Sequence, residues 1–386
     1  MKRRPSFAAQ ILIFCLGLIW IIGSANAQKS EATKTVHQNT YQEKSDSAHL
    51  QDGPYVFWDG NRAIVQYICN GQKITRTWNV TNLTKIGSSC EDSSVTYEIS
   101  ADPPLPEADT FVGASRICAV GDIHGQFGQA ITLLKGNKII DDHLHWIWGD
   151  GHLVIIGDIF DRGDKVTEAL WFVHQLEKEA QKKGGRVHYI LGNHEVMVLR
   201  GDLRYTNKKY TQGTSRILKI RVWDLYGPET ELGRWLRSKN VAVKVNRILF
   251  VHGGLSPDLQ TRGYTIQMLN KAIRNSLDAR DYTIRFDEEL DFLYGYRGPF
   301  WYRGYIQDWY DIPMASEEQV KSLLAFYDAD IVVVGHTIVE DITGYYGNRI
   351  FDIDTGIYRG SEGKVLMWEN GVLYKADVNG KREILK

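Results

Sequence analysis

Apolar residues along this chain gather into short runs that stop at glycine or histidine. Ile117-Cys118-Ala119-Val120 ends at Gly121, Leu153-Val154-Ile155-Ile156 at Gly157, and Val187-His188-Tyr189-Ile190-Leu191 at Gly192. Ile248-Leu249-Phe250-Val251 ends at His252, and Ile331-Val332-Val333-Val334 at Gly335. Short continuous apolar runs bounded in this way predict buried strands. Residues 127–134, 166–181 and 229–237 carry helical patterns between them. Strand alternating with helix predicts a layered α/β domain over residues 111–386.

Upstream the pattern changes. Residues 55–58, 63–68 and 74–78 read as short strands joined by turns at Asp59-Gly60-Asn61 and Asn70-Gly71. Asn-Gly and Asp-Gly accept positive φ, which makes them hairpin signals. A small antiparallel β unit is therefore expected over residues 51–110, with the proline-rich stretch 102–106 marking its end. Residues 349–385 alternate short strands with turns at Asn370-Gly371 and Asn379-Gly380. Residues 28–50 are polar and read as a flexible leader.

Residues 1–27 have the layout of a secretory signal peptide. Lys2, Arg3 and Arg4 precede an apolar run, and Ala25-Asn26-Ala27 offers a cleavage site. The expectation is an exported protein, periplasmic or secreted, with no stable membrane insertion after cleavage. In an oxidising compartment Cys69 and Cys90, which share one β-rich segment, are expected to pair. Cys118 reads as a buried free thiol. With 43% hydrophobic and 24% charged residues the chain is an ordinary folded protein, and a net charge of −1 gives no reason to expect nucleic acid as a partner.

The chemistry sits at the ends of the five apolar runs, where reactive groups gather in α/β folds. They continue as Gly121-Asp122-Ile123-His124-Gly125-Gln126, Gly157-Asp158-Ile159-Phe160-Asp161-Arg162-Gly163, Gly192-Asn193-His194-Glu195, His252-Gly253-Gly254 and Gly335-His336. Carboxylate, amide and imidazole donors without sulfur suit Mn, Fe or Zn better than Ca. Any one of these aspartates alone would more simply cap a helix, and His252 or His336 alone would be a core histidine. Five clusters together outweigh that reading.

These segments resemble the metallophosphoesterase superfamily and, within it, the phosphoprotein phosphatase branch. Residues 121–126 and 252–259 are similar to the eukaryotic Ser/Thr phosphatases, and Gly298-Pro299-Phe300-Trp301-Tyr302-Arg303-Gly304 to the bacterial, Shewanella-like group. The resemblance, over roughly residues 112–360, implies a β-sandwich flanked by helices and two divalent metal ions. Asp122, His124 and the shared Asp158 would hold one ion. Asp158, Asn193, His252 and His336 would hold the other. A hydroxide bridging the two would attack phosphorus directly. The resemblance further implies His194 as general acid, Asp161 as the carboxylate that orients it, and Arg162 and Asn193 as phosphate contacts. Arg303 is the candidate for a second arginine contact, with Arg297 as rival.

The expected reaction is hydrolysis of phosphomonoesters, on Tyr or Ser/Thr of phosphoproteins. A dinucleoside polyphosphate hydrolase and a catalytically inactive exported binding protein are the alternatives. Eukaryotic members carry a Ser-Ala-Pro-Asn-Tyr loop where this chain reads Asp352-Ile353-Asp354-Thr355-Gly356-Ile357-Tyr358. Outside the motifs, His143, His145 and His152 read as a solvated hairpin rather than a metal cluster. The basic stretch Lys208, Lys209, Lys219 and Arg221 reads as a solvated insertion.

Overall fold

Two six-stranded sheets face each other in the computed structural model, which describes residues 48–90, 94–279 and 281–386. The expected signal peptide and nearly all of the expected polar leader lie outside the described residues. Residues 51–386 form one compact unit.

The N-terminal strands are Asp52–Asp59 (β1), Arg62–Cys69 (β2) and Gln72–Asn79 (β3), an antiparallel sheet in that order. Asn70 and Gly71 both have positive φ, as a two-residue turn between twisted strands requires. Leu83–Gly87 (β4) and Thr96–Ser100 (β5) pair separately. Cys69 and Cys90 form a disulfide, and Cys118 is a buried free thiol, as expected.

The first large sheet contains Thr110–Phe111 (β6), Ala242–Val245 (β10), Ile248–Val251 (β11), Ile331–Val334 (β12), Gly344–Tyr345 (β13) and Ile350–Asp352 (β14). The second contains Arg116–Val120 (β7), His152–Ile155 (β8), Arg186–Tyr189 (β9), Val365–Glu369 (β15), Val372–Ala376 (β16) and Arg382–Ile384 (β17). Period-2 alternation sends Ile117 and Ala119 of β7 into a shared core with Val243 and Val245 of β10, Ile248 and Phe250 of β11, and Ile331 and Val333 of β12. The alternate residues Cys118, Val120, Leu249 and Val332 are buried as well, which explains why these strands read as unbroken apolar runs.

Three helices lie next to the site: Phe127–Gly136 (α1), Val166–Lys182 (α2) and Asn193–Leu199 (α3). β7, β8 and β9 run parallel, as do β11, β12 and β14, so their carboxyl ends open together. The N-terminal sheet is pinned to the same body. Trp58 Nε1 donates to Glu231 at 2.9 Å and Trp171 Nε1 to the Pro54 carbonyl at 2.8 Å. Buried Asp52 lies 3.3 Å from Lys209 Nζ.

That contact corrects the reading of the basic stretch. Lys208, Lys219 and Arg221 are exposed, but the Lys209 side chain is only 10% exposed and paired with Asp52 and Glu168. The reading of His152 changes too. His143 and His145 are exposed, whereas His152 is buried on β8 with Nδ1 3.0 Å from His188 Nε2. β10 has no counterpart among the expected strands, because Lys244 interrupts its apolar run.

Acid should weaken this fold. Burial pushes the His174 imidazole on α2 down to about 4 and holds His188 well below its ordinary value. A histidine depressed in the folded state binds its proton sooner when unfolded. Stability is therefore complete above the unfolded value of about 6.5 and declines as pH falls toward 4. For His174 the loss is on the order of 2 kcal/mol at pH 5. Urea midpoints at pH 7 and pH 5 should differ by more in the wild type than in His174→Gln, and equal differences would remove His174 from the account.

Candidate metal centre

Apart from Arg303, the expected site residues lie just past the ends of parallel strands, on loops or, for Asn193 and His194, on the first turn of α3. Asp122 and His124 follow β7, Asp158, Asp161 and Arg162 follow β8, Asn193 and His194 follow β9, His252 follows β11 and His336 follows β12. His124, Asp158, Asp161, Arg162 and His336 all have positive φ, between 47° and 69°. Side-chain-bearing residues adopt this conformation only where surrounding structure enforces it, and such residues cluster at functional sites.

Asp158 is at the middle. Its Oδ2 lies 3.4 Å from His252 Nε2, 3.6 Å from His124 Nε2 and 3.9 Å from His194 Nε2. Donor atoms converge in two sets that share it: His124, Asp158 and His194, and Asp158, His252 and His336. Asn193 Oδ1 lies 2.8 Å from His252 Nε2, so its amide oxygen points to the second set. Asp122 is buried at the same place, with Oδ1 accepting from the His336 N–H at 3.2 Å. The first set thus gathers His194 around His124 and Asp158, with Asp122 against the His336 backbone.

The ring orientations are fixed from behind. His124 Nδ1 is 2.8 Å from the Phe160 carbonyl and His252 Nδ1 is 2.7 Å from the Ile156 carbonyl, so each presents Nε2 to the centre. Backbone carbonyls in that position are the usual partners of metal-binding histidines. His336 Nε2 is buried and has no hydrogen-bond partner among the described residues. Burial alone would pull the His252 imidazole down, but Asp158 and Asp122 outweigh it and hold it up to about 10. Burial, with Asp354 and Asp158 nearby, pushes the Asp122 carboxyl well up. A buried cluster of imidazole, amide and carboxylate donors with an orphaned nitrogen fits divalent cations.

Beside these donors stands a histidine–carboxylate pair. His194 Nδ1 is 2.6 Å from Asp161 Oδ2, and Thr206 Oγ1 donates to Asp161 Oδ1 at 2.7 Å. Burial lowers the His194 imidazole, yet Asp158 and Asp161 together hold it above its ordinary value. The Arg162 guanidinium lies 4.2 Å from the Tyr205 ring centroid and 5.1 Å from that of Tyr358. Tyr358 also meets the His124 ring edge-on, and Trp301 meets the His336 ring.

Of the two rival arginines, only Arg303 faces the centre. Its Nη1 donates to the His336 carbonyl at 3.0 Å and to Thr337 Oγ1 at 3.1 Å. Arg297 is taken up by Asp258 and Asp311. Tyr205, Thr206 and Tyr358 were not expected from the sequence. Tyr205 and Thr206 follow α3 rather than a strand, and Tyr358 lies on a short turn after β14, so only the fold shows what they touch.

A sandwich whose parallel strand ends present carboxylate, amide and imidazole donors to one cavity defines a metal-dependent phosphoester hydrolase. The sequence pattern of the calcineurin-like phosphoesterases matches residues 115–340, and the chain belongs to that family. It is similar to a cold-active protein-tyrosine phosphatase of a psychrophilic Shewanella species at 36% identity and a TM-score of 0.81, covering 87% of this chain and 100% of that one. It is also 33% identical over 248 residues to the Shewanella-like protein phosphatase 1 of Plasmodium berghei, 63% of this chain and 67% of that protein. The Shewanella-like protein phosphatase 2 of Arabidopsis thaliana is 33% identical over 136 residues, 33% of this chain and 35% of that protein.

Proposed function

We propose that this chain is an exported phosphatase of phosphoproteins, with phosphotyrosine as its preferred ester. The observation that carries this reading is the arginine held between tyrosines: Arg162, flanked by the rings of Tyr205 and Tyr358, beside His124 and His194. A planar guanidinium binds phosphate oxygens as a fork. Two rings beside it offer edge and face contacts to an aryl group on that phosphate. The tyrosine phosphatase activity in the Shewanella enzyme's name agrees with this reading, and the Shewanella-like relatives are named protein phosphatases without a stated residue preference. The Cys69–Cys90 disulfide supports export, since such bonds persist in oxidising compartments.

Asp122, His124 and Asp158 would hold one divalent ion, and Asp158, Asn193, His252 and His336 the other. When bound, such ions supply positive charge to the phosphoryl oxygens and a nucleophilic water at neutral pH. The protein's own groups do the rest. Arg162 grips the phosphate, and Asn193 and Arg303 border it. His194, held through Nδ1 by Asp161, turns Nε2 toward the centre and gives its proton to the leaving oxygen. Asp161, fixed by Thr206, holds Nδ1 and so sets the direction of that transfer.

The test is a side-by-side assay of the purified protein with Mn²⁺ on a phosphotyrosine peptide, a phosphoserine peptide and a dinucleoside polyphosphate. The phosphotyrosine peptide should have the highest kcat/KM. Faster hydrolysis of the dinucleoside polyphosphate would overturn the proposal in favour of a nucleotide hydrolase.

A further inference from the structure

Glu195 is a buried carboxylate, 0% exposed, to which neither the ligand set nor the proton-transfer pair gives a task. It is the third residue of α3. Its Oε2 accepts the N–H of Gly192 at 2.7 Å and that of Asp158 at 2.8 Å. Its Oε1 accepts the N–H of Ile159 at 2.8 Å and that of Phe160 at 3.2 Å. The Gly192 bond is the reach-back expected of glutamate at this helical position. The other three go to a different loop, where successive N–H groups form a concave anion-binding nest.

The far side of that nest faces the first ligand loop. The Asp158 carbonyl accepts from Ile123 at 3.1 Å and His124 at 2.7 Å, and the Ile159 carbonyl from Gly125 at 2.9 Å. The Phe160 carbonyl orients the His124 ring at 2.8 Å. Each residue of the segment 158–160 is thus bound through its N–H to Glu195 and through its carbonyl to the loop of Asp122 and His124. The Asp158 carboxylate closes the circuit, with Oδ1 accepting from the His194 N–H at 3.0 Å. A Cβ added at Gly192 would run into both the Asp158 and the Glu195 carboxylates, so the two loops meet as closely as backbone allows.

We infer that Glu195 is a positioning residue that sets the affinity of the centre for its cations. It holds in register the three loops that carry Asp122 with His124, Asp158, and Asn193. The inference rests on the reading of those residues as ligands. Glutamine at this position would keep one acceptor oxygen and turn an amide donor toward the N–H groups, leaving part of the nest without an acceptor. Either the Asp158 and Gly192 N–H groups or those of Ile159 and Phe160 would then lose their acceptor. Losing an outer partner of this kind typically lowers metal affinity roughly 10- to 100-fold.

The experiment dialyses the full chain against a series of free Mn²⁺ concentrations and counts bound metal per chain. It compares wild type, Glu195→Gln, Glu195→Asp and Ser316→Ala. Ser316 caps the helix Glu317–Phe326, which carries no ligand, so its loss is a control for helix stability alone. Glu195→Gln should bind Mn²⁺ roughly 10- to 100-fold more weakly, with unchanged KM and with kcat recovering as Mn²⁺ saturates. Ser316→Ala should bind as wild type does. Wild-type affinity in Glu195→Gln, or equal weakening in Ser316→Ala, overturns the inference. If Glu195→Gln does not fold, Glu195→Asp decides in the same way, since its shorter arm cannot span both loops. A wild type that binds no Mn²⁺ would refute the ligand assignments themselves.

Discussion

Replacing His194 with asparagine should lower turnover on an alkyl phosphate by roughly 10²-fold or more, the scale of a lost general acid. An alkoxide leaves poorly without a proton, and His194 is the imidazole whose Nδ1 is anchored to a carboxylate while Nε2 faces the centre. On p-nitrophenyl phosphate, whose leaving group departs without help, the loss should be much smaller. Bound metal should not change. This last measurement is decisive, because His194 Nε2 also converges with His124 and Asp158 in one potential donor set. A fall in bound metal would move His194 among the ligands, and equal losses on both substrates would end its role as acid.

Asp158→Asn should do more damage still. The substitution preserves shape and removes the one carboxylate common to both donor sets. Without it the cluster of His124, His194, His252 and His336 faces any second cation with no shared negative charge. The variant should retain fewer ions per chain than the wild type, with turnover near background even in excess Mn²⁺. The fold should survive, since asparagine keeps the shape of aspartate and an oxygen to accept the His194 N–H. Metal analysis and circular dichroism on the same sample would check both halves. Two ions per chain with wild-type turnover would refute the bridging role.

The fold and the donors were legible to different degrees, for physical reasons. The strands before Gly121, Gly157, Gly192, His252 and Gly335 were readable because burial on both faces leaves an unbroken apolar run, and the donors follow directly. β10 was not, because Lys244 reaches out to the Tyr327 carbonyl and breaks its run. Lys209 read as solvated because its partner Asp52 lies in the N-terminal sheet, too far along the chain for any local pattern to connect them. The choice between Arg303 and Arg297 also needed three dimensions, since it turns on which guanidinium Asp258 and Asp311 have already claimed. Glu195 could be read as a helix cap from its spacing, but three of its four bonds go to a loop that no spacing rule connects to it.

The left-handed residues of the site also bear on how such a protein could decay. His124, Asp158, Asp161, Arg162 and His336 hold conformations that glycine adopts without strain. A lineage released from the need to hydrolyse phosphate could exchange these side chains for glycine, with relief of strain offsetting part of the packing and hydrogen bonding given up. Inactive descendants that keep the sandwich and lose the centre would show glycine at these five positions as the trace of that history.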